Sequence, residues 1–178
     1  MAPDDNQLRF PVGRFVPVPA PTPEARAAAI ADIVALPARV RAAVASLSDA
    51  QLDTPYRTGG WTARQVVHHL ADSHMNGFIR VKLALTETRP TIKPYDQDAW
   101  ARLPDSALPV EVSLRLLDVL HARWGVVYTS MAEDQFSRAF VHPEAGITYA
   151  LSEHLQLYAW HSRHHVAHIT ELRRRQGW

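Results

Sequence analysis

Residues 160–169 read WHSRHHVAHI, so four of the chain's ten histidines (His161, His164, His165, His168) fall in this one stretch. Four steps of about 100° along an α-helix overshoot a full turn by only about 40°, which places His161 on one face with His165, and His164 with His168. The flanking residues Leu151, Leu155, Tyr158, Ser162, Val166, Ile169 and Leu172 recur at helical spacing and mark the inward face. His165 lies about 40° and His161 about 80° from the centre of that stripe, against roughly 100° for His168 and 140° for His164. The inward pair is therefore His161 and His165. Two imidazoles one turn apart make half of a tetrahedral zinc site, and a further donor must come from another element packed against this one. Without such an element the stretch is simply a His-rich helix, so the reading turns on a second cluster at His68, His69 and His74.

That cluster sits in a second helical pattern. Thr62 and Gln65 have the spacing of a capping box, and Val66, Val67, Leu70, His74, Gly77, Phe78, Val81 and Leu85 follow at helical intervals over residues 62–87. His74 projects into the middle of the apolar stripe, as a core histidine does, and His68 points nearly the opposite way. His69 lies on the flank, followed by Asp72, Ser73, Asn76 and Arg80 at i+3, i+4, i+7 and i+11. Such a polar line can edge a pocket inside a bundle or a solvated face, and spacing alone leaves both open.

Two more long helices complete the pattern. Thr22, Pro23 and Glu24 form a helix start, and the helix runs to about residue 46 with a bend at Pro37. Residues 110–131 form another, with Val112, Leu116, Leu117, Leu120, Trp124, Val127 and Tyr128 on its inner face. The helix carrying WHSRHHVAHI spans residues 150–175 and stops at Gly177. Ser48 with Gln51, and Ser130 with Glu133, mark short capped turns, and residues 141–148 read as a loop or small hairpin. Residues 88–109 form a long proline-containing loop around YDQDAW, and residues 1–21, with five prolines, form an extended arm. No strand-like alternation of any length competes. The architecture expected is an all-α four-helix bundle, one domain over residues 1–178 with the arm appended.

Composition narrows the function. The 178 residues suffice for one substantial core, and 47% apolar with 21% charged content is that of an ordinary globular chain. A net charge of +1 gives no case for nucleic-acid binding, and Arg173, Arg174 and Arg175 suit the cationic last turn of a helix. Cysteine is absent, which removes disulfides, thiolate ligands and a cysteine nucleophile, so any ion must be held by histidine and carboxylate. The acidic start MAPDDNQLRF is unlike a secretory signal and no apolar run approaches a membrane span, so the expected location is the cytoplasm. The arm and the YDQDAW loop offer surface that a lone bundle has no evident way to bury, from which a homodimer is expected.

The runs DTPYRTGGWTARQVVHHLADSHMN at 53–76, IKPYDQDAW at 92–100 and WHSRHHVAHITELRRRQGW at the C-terminus resemble the YfiT group of the DinB superfamily, and the resemblance extends from Phe10 to Trp178. It implies a four-helix bundle described for that group as a metal-dependent hydrolase, with one zinc or nickel ion held by three histidines. Related members are thiol S-transferases that use bacillithiol or mycothiol. By position, the family's ligand on the second helix is the histidine before the leucine of HHL, His69, and the pair after the tryptophan is His161 and His165. The pair agrees with the helical projection. The choice of His69 over His74 comes from the resemblance alone.

Three neutral imidazoles leave a divalent ion its full charge and an open position, the arrangement of a catalytic site. Such an ion activates water or a low-molecular-weight thiol as nucleophile. The motif is not HExxH, so no glutamate base is built in beside the first histidine; a water mechanism would draw on Asp72, Asp96 or Asp98. Asn76 and Arg80, on the line of His69, are the expected contacts to a small-molecule substrate. Against hydrolysis stand two alternatives, thiol transfer to small electrophiles and a metal-stabilised bundle without turnover.

Overall fold

The structure, a computed structural model, describes residues 4–178. Its elements in chain order are α1 (Asp5–Arg9), α2 (Pro23–Val44), α3 (Asp49–Leu52), α4 (Ala63–Thr86), α5 (Gln97–Trp100), α6 (Glu111–Thr129), β1 (Ala139–His142), β2 (Ile147–Ala150) and α7 (Leu151–Gln176). The long helices α2, α4, α6 and α7 lie where the spacing places them, and their ends have local causes. Thr22 accepts from the Ala25 N–H at the start of α2. At the start of α4, Thr62 Oγ1 accepts from the Gln65 N–H at 3.1 Å and Gln65 Oε1 accepts from the Thr62 N–H at 3.0 Å, two otherwise orphaned donors satisfied reciprocally. Gly177 ends α7 at φ 71°, a left-handed conformation that a side chain would strain.

Two details differ from the sequence reading, and a third, the small hairpin it allowed at residues 141–148, is present over a longer span. The arm is not wholly extended: Asp4 and Gln7 form a capping box that nucleates α1. Residues 139–150 form an antiparallel hairpin pairing Ala139 with Ala150 and His142 with Ile147. Ser130 caps no following turn, because its hydroxyl donates back to Val126 O at 2.8 Å. The larger departure is in α6. Val112 and Leu116 are exposed, while Leu114, Leu117, Leu120, His121, Trp124 and Tyr128 are buried. The helix is thus turned by about 70° from the face that the apolar count selects. Its sequence is apolar nearly all round, so periodicity has little to choose with, and His121 counts as polar there although it is 1% exposed.

Helix α2 packs on α6 and α7, and α4 packs on the same two helices. The consecutive pairs α2/α4 and α6/α7 therefore sit diagonally across the bundle, and only α4 to α6 joins neighbours. Two apolar clusters fill the interior. One contains Ile33, Phe78, Trp124, Tyr128, Leu155 and Tyr158. The other contains Leu36, Val40, Val66, Leu70, Leu117, Ile169 and Leu172. On α7 His161, His164, His165 and His168 fall between the two, and His69 and His74 on α4 with His121 on α6 join them by ring contacts in one polar layer. The helices α4 and α7 approach closely at Gly77, where a Cβ would lie 2.5 Å from Tyr158 Cζ. Among the described residues no helix is long and apolar enough to cross a membrane.

Candidate metal centre

His69 from α4 meets His161 and His165 from α7, and one ring nitrogen from each lies within 4.8 Å of the others. His69 Nε2 and His161 Nε2 are 3.3 Å apart, the separation of two donors each about 2.05 Å from a tetrahedral zinc ion. Burial, and then the neighbouring His168, push His69 down to about 4. Burial likewise holds His161 and His165 well below the usual imidazole range. All three are neutral at pH 7 with lone pairs free, the protonation state that a divalent cation needs. The donor set fits the ion.

The other ring nitrogens are fixed by a second set of histidines. His168 Nε2 lies 3.2 Å from the Arg9 carbonyl, so it carries the hydrogen and donates. Its Nδ1 is then a lone pair, 3.3 Å from His165 Nδ1. A hydrogen on His165 Nδ1 satisfies that contact and leaves Nε2 for an ion. On the other side, His161 Nδ1 lies 3.1 Å from His74 Nε2. For His161 to offer Nε2 to a cation its hydrogen must sit on Nδ1, with His74 Nε2 accepting, which puts the hydrogen of His74 on Nδ1. That atom is buried without a partner, as is Nε2 of His121, whose ring centroid is 4.9 Å away.

His121 has its own anchor. Its Nδ1–H donates to Ile33 O at 2.6 Å. This carbonyl is free because Pro37, four residues on in α2, has no N–H to offer it. A chain of neutral imidazoles thus runs from the proline in α2 to the inner edge of His161. Aromatic rings from the loop before α4 cover the outer edge: Trp61 lies 4.5 Å from His69 and Tyr56 stacks on His168 at 4.0 Å.

Two cavities meet at His161. The larger, about 430 Å³, is lined by all three donors, with Arg9, Arg57, Gln97 and Asp98 on its walls. The smaller, about 250 Å³, is lined by Arg80, Tyr95, His142, His154 and Tyr158, and shares Gln97 and His161 with the first. A surface groove of about 710 Å³ at Arg64 lies apart from the histidines, and its cation is already paired with Asp49 and Asp53.

The remaining candidates separate. Asp98 lines the larger cavity. Asp96 is exposed and caps α5, accepting from the Ala99 N–H at 2.9 Å. Asp72 is half-buried, raised to about 6 by burial and by Asp105, and lines neither cavity. Arg80 lines the smaller cavity, whereas the Asn76 amide donates to the Asp72 carbonyl of its own helix at 2.9 Å. His68 is structural: Nε2–H donates to Leu108 O at 3.0 Å and Nδ1 accepts from the Ser113 hydroxyl at 2.7 Å. Sequence reasoning missed the outer set of His74, His121 and His168. Its trace was there in His121, which sits among Leu117, Leu120 and Trp124 where the inner face of α6 runs.

Residues 32–169 match the family model described as DinB superfamily. The chain is 53% identical over 173 residues to a Bacillus cereus (strain B4264) protein named "Putative metal-dependent hydrolase", covering 97% of this chain and 99% of that one. A Bacillus mycoides (strain KBAB4) protein of the same description matches at 53% over the same length. Among solved structures, the chain superposes with a TM-score of 0.94 and 49% identity on YfiT from Bacillus subtilis, over 97% of this chain and 99% of that one. That protein is described as a probable metal-dependent hydrolase with an unusual four-helix bundle topology. With the family model matched over residues 32–169 and relatives 53% identical along nearly the whole length, this chain belongs to the DinB superfamily.

Proposed function

We propose that the protein is a metal-dependent hydrolase of small molecules that works through one divalent ion, zinc or nickel, held by His69, His161 and His165. The observation that carries this reading is the convergence of three neutral imidazole donors within 4.8 Å at the wall of a cavity. An ion bound there supplies a Lewis acid that lowers the pKa of a coordinated water or thiol toward neutrality. The chain's own groups do the rest. His74 and His168 hold the rings of His161 and His165 in the tautomer that faces the cavity. Trp61 and the apolar clusters keep bulk water from the buried side. Asp98, as the carboxylate on the cavity wall, takes the proton that an attacking water gives up.

A second reading, thiol transfer to an electrophile, is favoured by one observation: Arg9 lies on the wall of the same cavity beside Arg57, which is 3.6 Å from Asp5, a cationic setting that stabilises a thiolate and an anionic thiol carrier. A comparison of ester and amide hydrolysis with thiol conjugation, run with zinc or nickel restored after chelation and with bacillithiol or mycothiol supplied, separates the two. Turnover that survives chelation would remove both.

A further inference from the structure

The smaller cavity contains polar groups that the metal-centred reading does not use. His154 is 1% exposed, and its Nδ1 lies 3.1 Å from the hydroxyl of Tyr128, also 1% exposed. That ring nitrogen is the hydroxyl's only acceptor among the described residues. A buried O–H is costly to leave without an acceptor, so the hydroxyl donates to Nδ1 and the neutral ring carries its hydrogen on Nε2. Burial, followed by the charge of Arg80, pushes His154 down to about 3, so the ring remains neutral at physiological pH. Its Nε2–H is buried and has no partner.

Arg80 from α4 lines the same cavity, half-buried, and forms neither an ion pair nor a hydrogen bond among the described residues. Its charge adds to burial in lowering His142 and His154, and it opposes the burial that raises the Tyr158 hydroxyl. The wall's one carboxylate, Glu144, is exposed in the turn of the hairpin and does not pair with Arg80. A cavity of about 250 Å³ thus holds a cation and a neutral N–H donor, both lacking acceptors.

We propose that this cavity is the recognition pocket for a carboxylate of the substrate, which pairs with Arg80 and accepts from His154 Nε2–H. A carboxylate has two coplanar oxygens that match the guanidinium fork and leave a lone pair for a second donor. A phosphate would bring a further negative charge toward Glu144. Because Gln97 and His161 line both cavities, a molecule anchored at Arg80 extends past them toward the three donors. Only this last step rests on the proposed metal-centred reaction; carboxylate binding itself needs no ion.

Butyrate, its neutral isostere butyramide and inorganic phosphate serve as probes, titrated calorimetrically into the full-length protein before and after chelation. Butyrate is expected to bind in both states, at least tenfold more tightly than butyramide or phosphate, and Arg80→Gln is expected to lose at least tenfold. Tyr128→Phe, which removes the hydroxyl that sets the tautomer, should lose several-fold with Arg80 intact. Long-range 1H–15N spectra should place the hydrogen of His154 on Nε2. Equal binding of butyrate and butyramide, unchanged binding in Arg80→Gln, tighter binding of phosphate, or a hydrogen on Nδ1 would each overturn the proposal. Butyrate binding retained in a protein that shows no metal-dependent turnover would sink the catalytic reading and leave the pocket standing.

Discussion

His161 has both ring nitrogens committed, one facing His69 and the other facing His74, and it is the residue on which the site depends. Replacing it with alanine removes a donor and orphans its partner, so His161→Ala is expected to purify with less than a tenth of an equivalent of zinc or nickel, read by elemental analysis. A full equivalent would mean that the ion sits elsewhere. His74 is a subtler case. Fully buried and without a direct path to an ion, it fixes the tautomer of His161, and the loss of such an outer partner typically costs 10–100-fold in metal affinity. His74→Leu is expected to remain folded by circular dichroism and to lose affinity in that range by competition with a chelator, while His68→Gln, at a ring that serves only Ser113 and Leu108, should lose none. Sequence spacing paired His161 with His165 because residues one turn apart share a helix face, and the structure brings both to His69. On α4 the stripe favoured His74 over His69, but both face the histidine layer, and the difference lies in which ring edge meets α7 rather than in depth.

At the scale of the helix, capping residues fixed the ends well, since a Thr–Gln box or a terminal glycine acts within one turn and needs no tertiary information. Rotation about the axis was legible for the apolar residues of α4 and α7, although His68, His164 and His168, which the spacing turns away from the stripe, are buried too, and it was illegible for α6, which has apolar residues on both faces. Pro37 was read as a bend; the structure gives it a further role, freeing the Ile33 carbonyl for His121. Proline in a helix interior ordinarily costs about 3 kcal/mol relative to alanine. Pro37→Ala supplies a main-chain donor that competes with His121, so the expected gain in stability falls short of that figure and metal affinity drops. Chemical denaturation together with a chelator titration reads both, and a full gain with affinity unchanged would remove the link. Gly77→Ala is simpler: its Cβ would overlap the Tyr158 ring, with an expected loss of about 1–3 kcal/mol.

For the molecule as a whole, the four-helix architecture was legible because four amphipathic segments have few other ways to bury their faces. The diagonal order of the helices was not, since nothing local distinguishes a neighbour from an opposite partner. Nor was the docking of the arm, which lies on its own α7 through Trp160 Nε1–H to Gly13 O at 3.1 Å and Gln156 to Val18 at 2.9 and 3.1 Å. The arm thus gives no reason for a second copy. The homodimer stays as a proposal resting on the exposed Val112, Leu116, Val119 and Val126 of α6, and Val119→Glu should yield a monomer by sedimentation.

The histidine layer also sets how the whole fold responds to acid. A buried histidine of depressed pKa binds its proton more readily when unfolded. Between its folded value and the unfolded value of about 6.5 the unfolded chain holds more protons, and stability falls as the pH falls. Burial puts His121 at about 4 and His154 at about 3, and holds His74 well below the usual range. Their contribution is complete above about 6.5 and is lost below it, on the order of 3 kcal/mol for His121 alone. Asp72, raised to about 6, acts in the opposite sense between its unfolded and folded values, one group against several. Since a domain's net stability is about 5–15 kcal/mol, the metal-free protein is expected to lose its helical circular dichroism with a midpoint between about pH 6.5 and 4, taking up several protons at once. A zinc ion held as proposed by His69, His161 and His165 would bind only the folded chain, so zinc should move the midpoint down. A helical signal unchanged to about pH 3.5 without metal would mean that the layer carries no such penalty and is open to water.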